Sequence, residues 1–305
     1  MKKTFLAIAI SALSLSAHAS NPTIVEMPNG AVGNPTSALK ALAVLDIGGD
    51  ELYHTTFGPD KNLHALGRDV YAPAVIETDE GLIVIGTGDH NGEGAEYRDY
   101  IRENISTAPI IAVIYDHNHY VKGTEALLRD DPDAIRIAHP DMHDIVSART
   151  GDSQSNTDIP EMAPHLLARA NIHYGVLADE EGPDSPIVPM SVSFGHENGY
   201  MQATHTVEHG EEMTIGGLTV QFFHHETDTK DNITIYFKEH ELVVSNVVWP
   251  TVNMYTLRGD AYRDPATWMG GFRDIRDLNP QYVLDIGSGA ALMDDRDDID
   301  RKSVV

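Results

Sequence analysis

Apolar residues in this chain fall in short runs separated by polar, glycine-bearing and proline-bearing punctuation, and the runs change rhythm between the two halves. Residues 70–76 read as a strand, closed by the turn Asp79-Glu80-Gly81. Residues 82–85 (Leu82-Ile83-Val84-Ile85) have no polar position, which predicts a strand covered on both faces. A helix is predicted over 94–104, then a buried strand over 110–114. Another helix starts at 124–129, followed by a short strand over 135–138, a short helix over 142–148, a loop over 151–165 and a helix over 166–170. In the second half, residues 212–215 and 218–223 flank Gly216-Gly217, a hairpin pattern. Strands follow at 233–237 and 242–244, joined by Lys238-Glu239-His240-Glu241; then come a helix over 265–277 and a last strand over 282–286. Strands and helices mixed in both halves predict a layered α/β sandwich.

The ends of the chain read differently. Lys2 and Lys3, an apolar core over 5–15 and the small-residue site Ala17-His18-Ala19 form the three-part pattern of a cleaved signal peptide over 1–19. That pattern predicts export to the periplasm or outside the cell, and its apolar core is too short to serve as a membrane anchor. Residues 20–60 lack periodicity and are expected to form an extended arm ahead of a domain over 61–293; residues 294–305 form a charged tail.

The strand expected at 110–114 runs into Tyr115-Asp116-His117-Asn118-His119. Side chains two apart do not share a helix face, but they converge in a loop just past a strand end. Two imidazoles converging there are a common start to a zinc site. Cysteine is absent, so any metal must be held by the 16 histidines and 47 acidic residues. The formal charge of −26 speaks against nucleic acid and anionic membrane surfaces as partners. His139, Asp141 and His143 have a similar spacing and are read as a strand end and helix start. His224-His225-Glu226 is read as a solvated strand end.

Several segments together resemble the alkyl sulfatase branch of the metallo-β-lactamase superfamily. They are 81–85, 112–119, Arg169-Ala170-Asn171-Ile172-His173-Tyr174-Gly175, Thr204-His205-Thr206 with the hairpin after it, and Asn253-Met254-Tyr255-Thr256-Leu257-Arg258-Gly259. The resemblance covers roughly residues 60–290 and implies an αβ/βα four-layer sandwich. By the family's pattern, one zinc would take His117, His119 and a carboxylate after the hairpin, either Asp228 or Glu226. Arg258 and Lys122 would be the cations that meet an anionic substrate, a sulfate ester.

Half of the family's metal motif His-x-His-x-Asp-His is replaced. Val121 and Lys122 stand where its Asp and last His belong. Gly86 replaces a strand-end Asp, a bridging Glu falls near Ser245, and Ile286-Gly287-Ser288-Gly289 lacks a later His. The resemblance therefore implies one zinc ion at most. Two outcomes stay open: a zinc hydrolase of sulfate esters, or a non-catalytic binding protein that keeps the fold.

Overall fold

The computed structural model describes residues 25–26, 32–33, 52–67, 71–150, 197–247, 264–286, 291–294, 296 and 299. The expected signal peptide and most of the tail lie outside these, as do the segments 169–175 and 253–259.

Strands β1 (Val25–Glu26) and β2 (Val32–Gly33) pair as a small antiparallel ribbon. A seven-stranded sheet then takes, in spatial and chain order, β3 (Tyr53–Phe57), β4 (Leu63–Gly67), β5 (Ala74–Thr78), β6 (Gly81–Ile85), β7 (Ile110–Ile114), β8 (Ile135–Ala138) and β9 (His205–Thr206). The first four are antiparallel; β6 to β9 are parallel. The crossovers carry helices α1 (Asn91–Asn104), α2 (Thr124–Leu127) and α3 (Met142–Thr150), as parallel pairing requires. A six-stranded sheet holds β10 (Glu212–Ile215), β11 (Leu218–His224), β12 (Ile233–Phe237), β13 (Leu242–Ser245), β14 (Tyr282–Asp285) and β15 (Ala291–Met293). Helix α4 (Pro265–Leu278) links β13 to its parallel neighbour β14. It opens on Asp264, whose carboxylate accepts from the Ala266 amide at 2.9 Å, with Pro265 in the first turn.

The two sheets face each other. Ile83, Ile85, Ala112 and Ile114 meet Val220, Phe222, Ile233, Ile235 and Leu284 in one inter-sheet core. The alternate residues of the same strands, Leu82, Val84 and Val113, pack on Tyr97, Ile101, Leu127 and Met142 from the helix side. Behind the second sheet, Val243 and Val283 pack on Trp268 and Ile275 of α4. Helix, sheet, sheet, helix is the four-layer sandwich, and it explains why β6 needs an apolar residue at every position. Each fully buried Ile or Val there contributes about 1.5–3 kcal/mol relative to exposure.

Several boundaries differ from the sequence reading. Strand β5 starts at Ala74, because Pro73 has no N–H to give to a ladder. Helix α1 starts at Asn91, capped by His90, whose Nδ1 accepts from the Glu93 amide at 3.3 Å. The first sheet also takes in Tyr53–Phe57, inside the stretch read as an extended arm. Among the described residues, no helix is long and apolar enough to cross a membrane.

Candidate metal centre

Strand β7 ends at Ile114, and the chain turns across the seam between the sheets. The Ile233 amide of β12 donates to the Asp116 carbonyl at 2.7 Å, so the histidine-bearing loop of the first sheet is tied to the second sheet. Asn118 Nδ2 adds a side-chain bond to Asp231 Oδ1 at 2.5 Å. These bonds bring the loop after β7 against the loop between β11 and β12. His117 and His119 come from the first and Asp228 from the second.

Asp228 Oδ2 lies 3.1 Å from His119 Nδ1 and 3.7 Å from His117 Nε2. One ligand atom from each of the three falls within 4.8 Å of the others. A tetrahedral zinc with bonds of about 2.0–2.1 Å needs ligand atoms roughly 3.4 Å apart. The donor set of two imidazoles and a carboxylate therefore fits zinc in kind and spacing. His117 and Asp228 are buried, and buried carboxylates are normally matched by a cation. Among the described residues, this is the one group of three or more His, Asp or Glu close enough to hold an ion.

Of the two carboxylates left open by the sequence, Asp228 is buried at the imidazoles, whereas Glu226 is exposed. His225, read as solvated, is instead buried between Thr234 Oγ1 at 3.0 Å and Asp274 Oδ2 at 2.8 Å. It fastens β11 to α4, a long-range contact invisible in local spacing. Burial holds its pKa below the ordinary histidine value, against the opposing pull of Asp274. His139 Nδ1 accepts from the Asp141 amide at 3.1 Å, a helix-start role.

Two residues that the sequence reading passed over lie directly behind His117. Asp116 Oδ2 accepts from His117 Nδ1 at 2.5 Å, and Asp116 Oδ1 accepts from the Tyr71 hydroxyl at 2.8 Å. Burial, and next the charge of Asp116, push the Tyr71 pKa well above 10.0, so its hydroxyl stays a donor. Adjacency to His117 was the only available signal for Asp116; nothing local pointed to Tyr71, which is 45 residues away.

The replaced positions are engaged elsewhere. Val121 is fully buried in the apolar cluster on the helix side of the first sheet. Lys122 Nζ lies 3.3 Å from Asp89 Oδ1. Ser245 is buried and bonded to Thr234 Oγ1 at 3.0 Å. Arg258 lies outside the described residues.

No family model matches the chain. A linear primary-alkylsulfatase from Pseudomonas sp. is 29% identical over 213 residues, which is 66% of this chain and 38% of that protein. The chain thus spans well under half the length of this relative. The stereoselective inverting sec-alkylsulfatase Pisa1 from Pseudomonas sp. superposes with a TM-score of 0.67 at 14% identity, over 98% of this chain and 52% of that one. A metallo-β-lactamase from Pseudomonas aeruginosa, solved in a mono-zinc form, gives a TM-score of 0.52 at 14% identity, over 85% of this chain and 96% of that one. The protein has the metallo-β-lactamase fold. Over the matched residues its sequence is similar to that of the alkylsulfatase, and its fold is shared with the sec-alkylsulfatase.

Proposed function

We propose that this chain is a one-metal hydrolase of the alkyl sulfatase type, with zinc held by His117, His119 and Asp228 and a sulfate ester as substrate. The observation that carries the reading is the convergence of these three side chains on one point from loops of two different sheets, with no second such group among the described residues. Zinc, when bound with an open position, supplies Lewis acidity toward an anionic ester oxygen and lowers the pKa of water toward neutrality. The chain's own residues orient the ligands. Asp116 holds the His117 ring by its Nδ1 edge, and the stacked rings of Tyr71 and Tyr120 pack beside it, with centroids 6.1 and 5.7 Å from that of His117. Arg258 is the cation assigned to the sulfate head. Lys122 meets an anion only in competition with Asp89, 3.3 Å away. The signal-peptide pattern over 1–19 supports action in the periplasm or outside the cell.

A second reading, a non-catalytic binding protein, is favoured by one observation: the side chains at Val121 and Ser245 are committed to packing and to internal hydrogen bonds. Zinc per chain, measured in the wild type and in a His117→Ala, His119→Ala double variant, together with sulfate release from dodecyl sulfate, separates the readings. One zinc, lost in the double variant, with sulfate release, supports the hydrolase. One zinc without turnover of any sulfate ester favours the binding protein. No zinc overturns the metal centre, and two would mean that a second site is built from other residues.

A further inference from the structure

The His117 ring is held from behind with more structure than a loop histidine needs. Its Nδ1 faces Asp116 Oδ2 at 2.5 Å, leaving Nε2 as the atom on the Asp228 side. Asp116 is itself fixed at three points. Tyr71 donates to Oδ1 at 2.8 Å, His117 occupies Oδ2, and the Ile233 amide holds the backbone carbonyl at 2.7 Å. Tyr71 is buried and stacked on Tyr120, with ring centroids 3.9 Å apart and planes 13° from parallel, so its hydroxyl has little freedom.

Room for that hydroxyl exists only because residue 86 is glycine. Gly86 sits at φ +76°, and a Cβ there would lie 1.8 Å from the Tyr71 oxygen and 2.4 Å from Tyr71 Cζ. Three positions far apart in the chain, 71, 86 and 116, thus form one arrangement. Each would be an odd choice without the others: a glycine at the end of a buried strand, a buried tyrosine hydroxyl, and a carboxylate buried next to a histidine.

We propose that Tyr71 and Asp116 are positioning residues that hold His117 in the Nδ1–H tautomer with Nε2 presented to the Asp228 side, and that Gly86 is the space that admits Tyr71. A neutral imidazole binds a metal through the nitrogen that lacks the proton, so fixing the proton on Nδ1 makes Nε2 the ligand atom. Outer-shell partners of this kind typically contribute about 10–100-fold in metal affinity when lost. The part of the proposal that concerns zinc rests on the metal centre proposed above; the tautomer does not.

The test uses full-length protein stripped of metal, and then the same protein titrated with zinc against a chelator. Nitrogen NMR of the histidine rings at mildly alkaline pH, with His117 assigned through His117→Gln, should show Nδ1–H for His117 in the wild type. In Asp116→Asn the signals should move toward a mixed or Nε2–H state, and zinc affinity should fall about 10–100-fold. Tyr71→Phe keeps the stacked ring and removes only the hydroxyl, so it should fold and show a smaller loss of affinity. Glu212→Gln, which removes only an exposed ion pair with Lys238, should leave zinc affinity unchanged. An Nε2–H tautomer in the wild type would overturn the proposal, as would unchanged zinc affinity in both relay variants. If the wild type binds no zinc, the metal centre fails, while the tautomer measured without metal still decides the positioning role.

Discussion

Gly86→Ala is expected to be among the most damaging single-methyl changes in this protein, and the reason is local and countable. The backbone at Gly86 has φ +76°, where an L side chain costs about 1–2 kcal/mol. The added Cβ would lie 1.8 Å from the Tyr71 hydroxyl oxygen, 2.4 Å from Cζ and 2.5 Å from Cε1. Tyr71 cannot retreat freely, because it is stacked on Tyr120 and bonded to Asp116. Forcing volume into such a packed position costs about 1–3 kcal/mol. Together the two effects place the loss at about 2–5 kcal/mol, a large part of the roughly 5–15 kcal/mol that holds a typical domain folded. Urea unfolding of the wild type and Gly86→Ala measures it. The decisive arm is the same substitution in a Tyr71→Ala background, where the ring is gone and only the backbone strain of about 1–2 kcal/mol should remain. The two positions are in contact, so their effects should be non-additive by at least about 0.5 kcal/mol. An equal loss in both backgrounds would refute the steric account, as would a Gly86→Ala protein as stable as wild type.

Asp228→Asn should abolish or strongly weaken zinc binding while Glu226→Gln leaves it intact, because only Asp228 is buried beside both imidazoles; isothermal titration with zinc checks this. Asn118→Ala should destabilise by about 1.5–3 kcal/mol, since it strips a hydrogen bond from the buried carboxylate of Asp231, and chemical denaturation measures the loss. The folded-state pKa of His224 is held below 6.5 by burial and then by His139, and that of His225 is likewise lowered by burial. The unfolded chain therefore takes up protons first as pH drops through 6.5. Stability should be full above that value and fall below it. His224→Gln should flatten the fall in unfolding experiments run across this range, and an unchanged slope would count against His224.

How much of this was legible depended on what each residue answers to. Strands β7 and β8 and the hairpin at Gly216-Gly217 could be read because burial and turn chemistry are local demands; both glycines have positive φ. Strand β3 (Tyr-His-Thr-Thr-Phe) was missed because an edge strand with few apolar positions carries no alternation to read. Strands β9 and β15 are only two and three residues long, too short for any periodicity. At the site, His117 and His119 announced themselves by spacing. The choice of Asp228 over Glu226 needed the fold, because residues two apart in a loop differ only in which one the loop turns inward. Tyr71 reaches Asp116 through the packing of the sheet, and such a pairing leaves no mark in either neighbourhood.

The two halves of the sandwich meet mostly through apolar side chains, which hold surfaces together without fixing a particular pair of atoms. A cation bridging the loop after β7 and the loop after β11 would be a cross-link of a different kind, joining points 109 residues apart from His119 to Asp228. Because the unfolded chain cannot gather those ligands, the binding energy would count directly toward folding, about 2.7 kcal/mol at a free ion concentration one hundred times the dissociation constant. The melting temperature would then serve as a gauge of metal supply, and a protein released into a zinc-poor environment would be more readily unfolded and cleared than the same chain where zinc is plentiful.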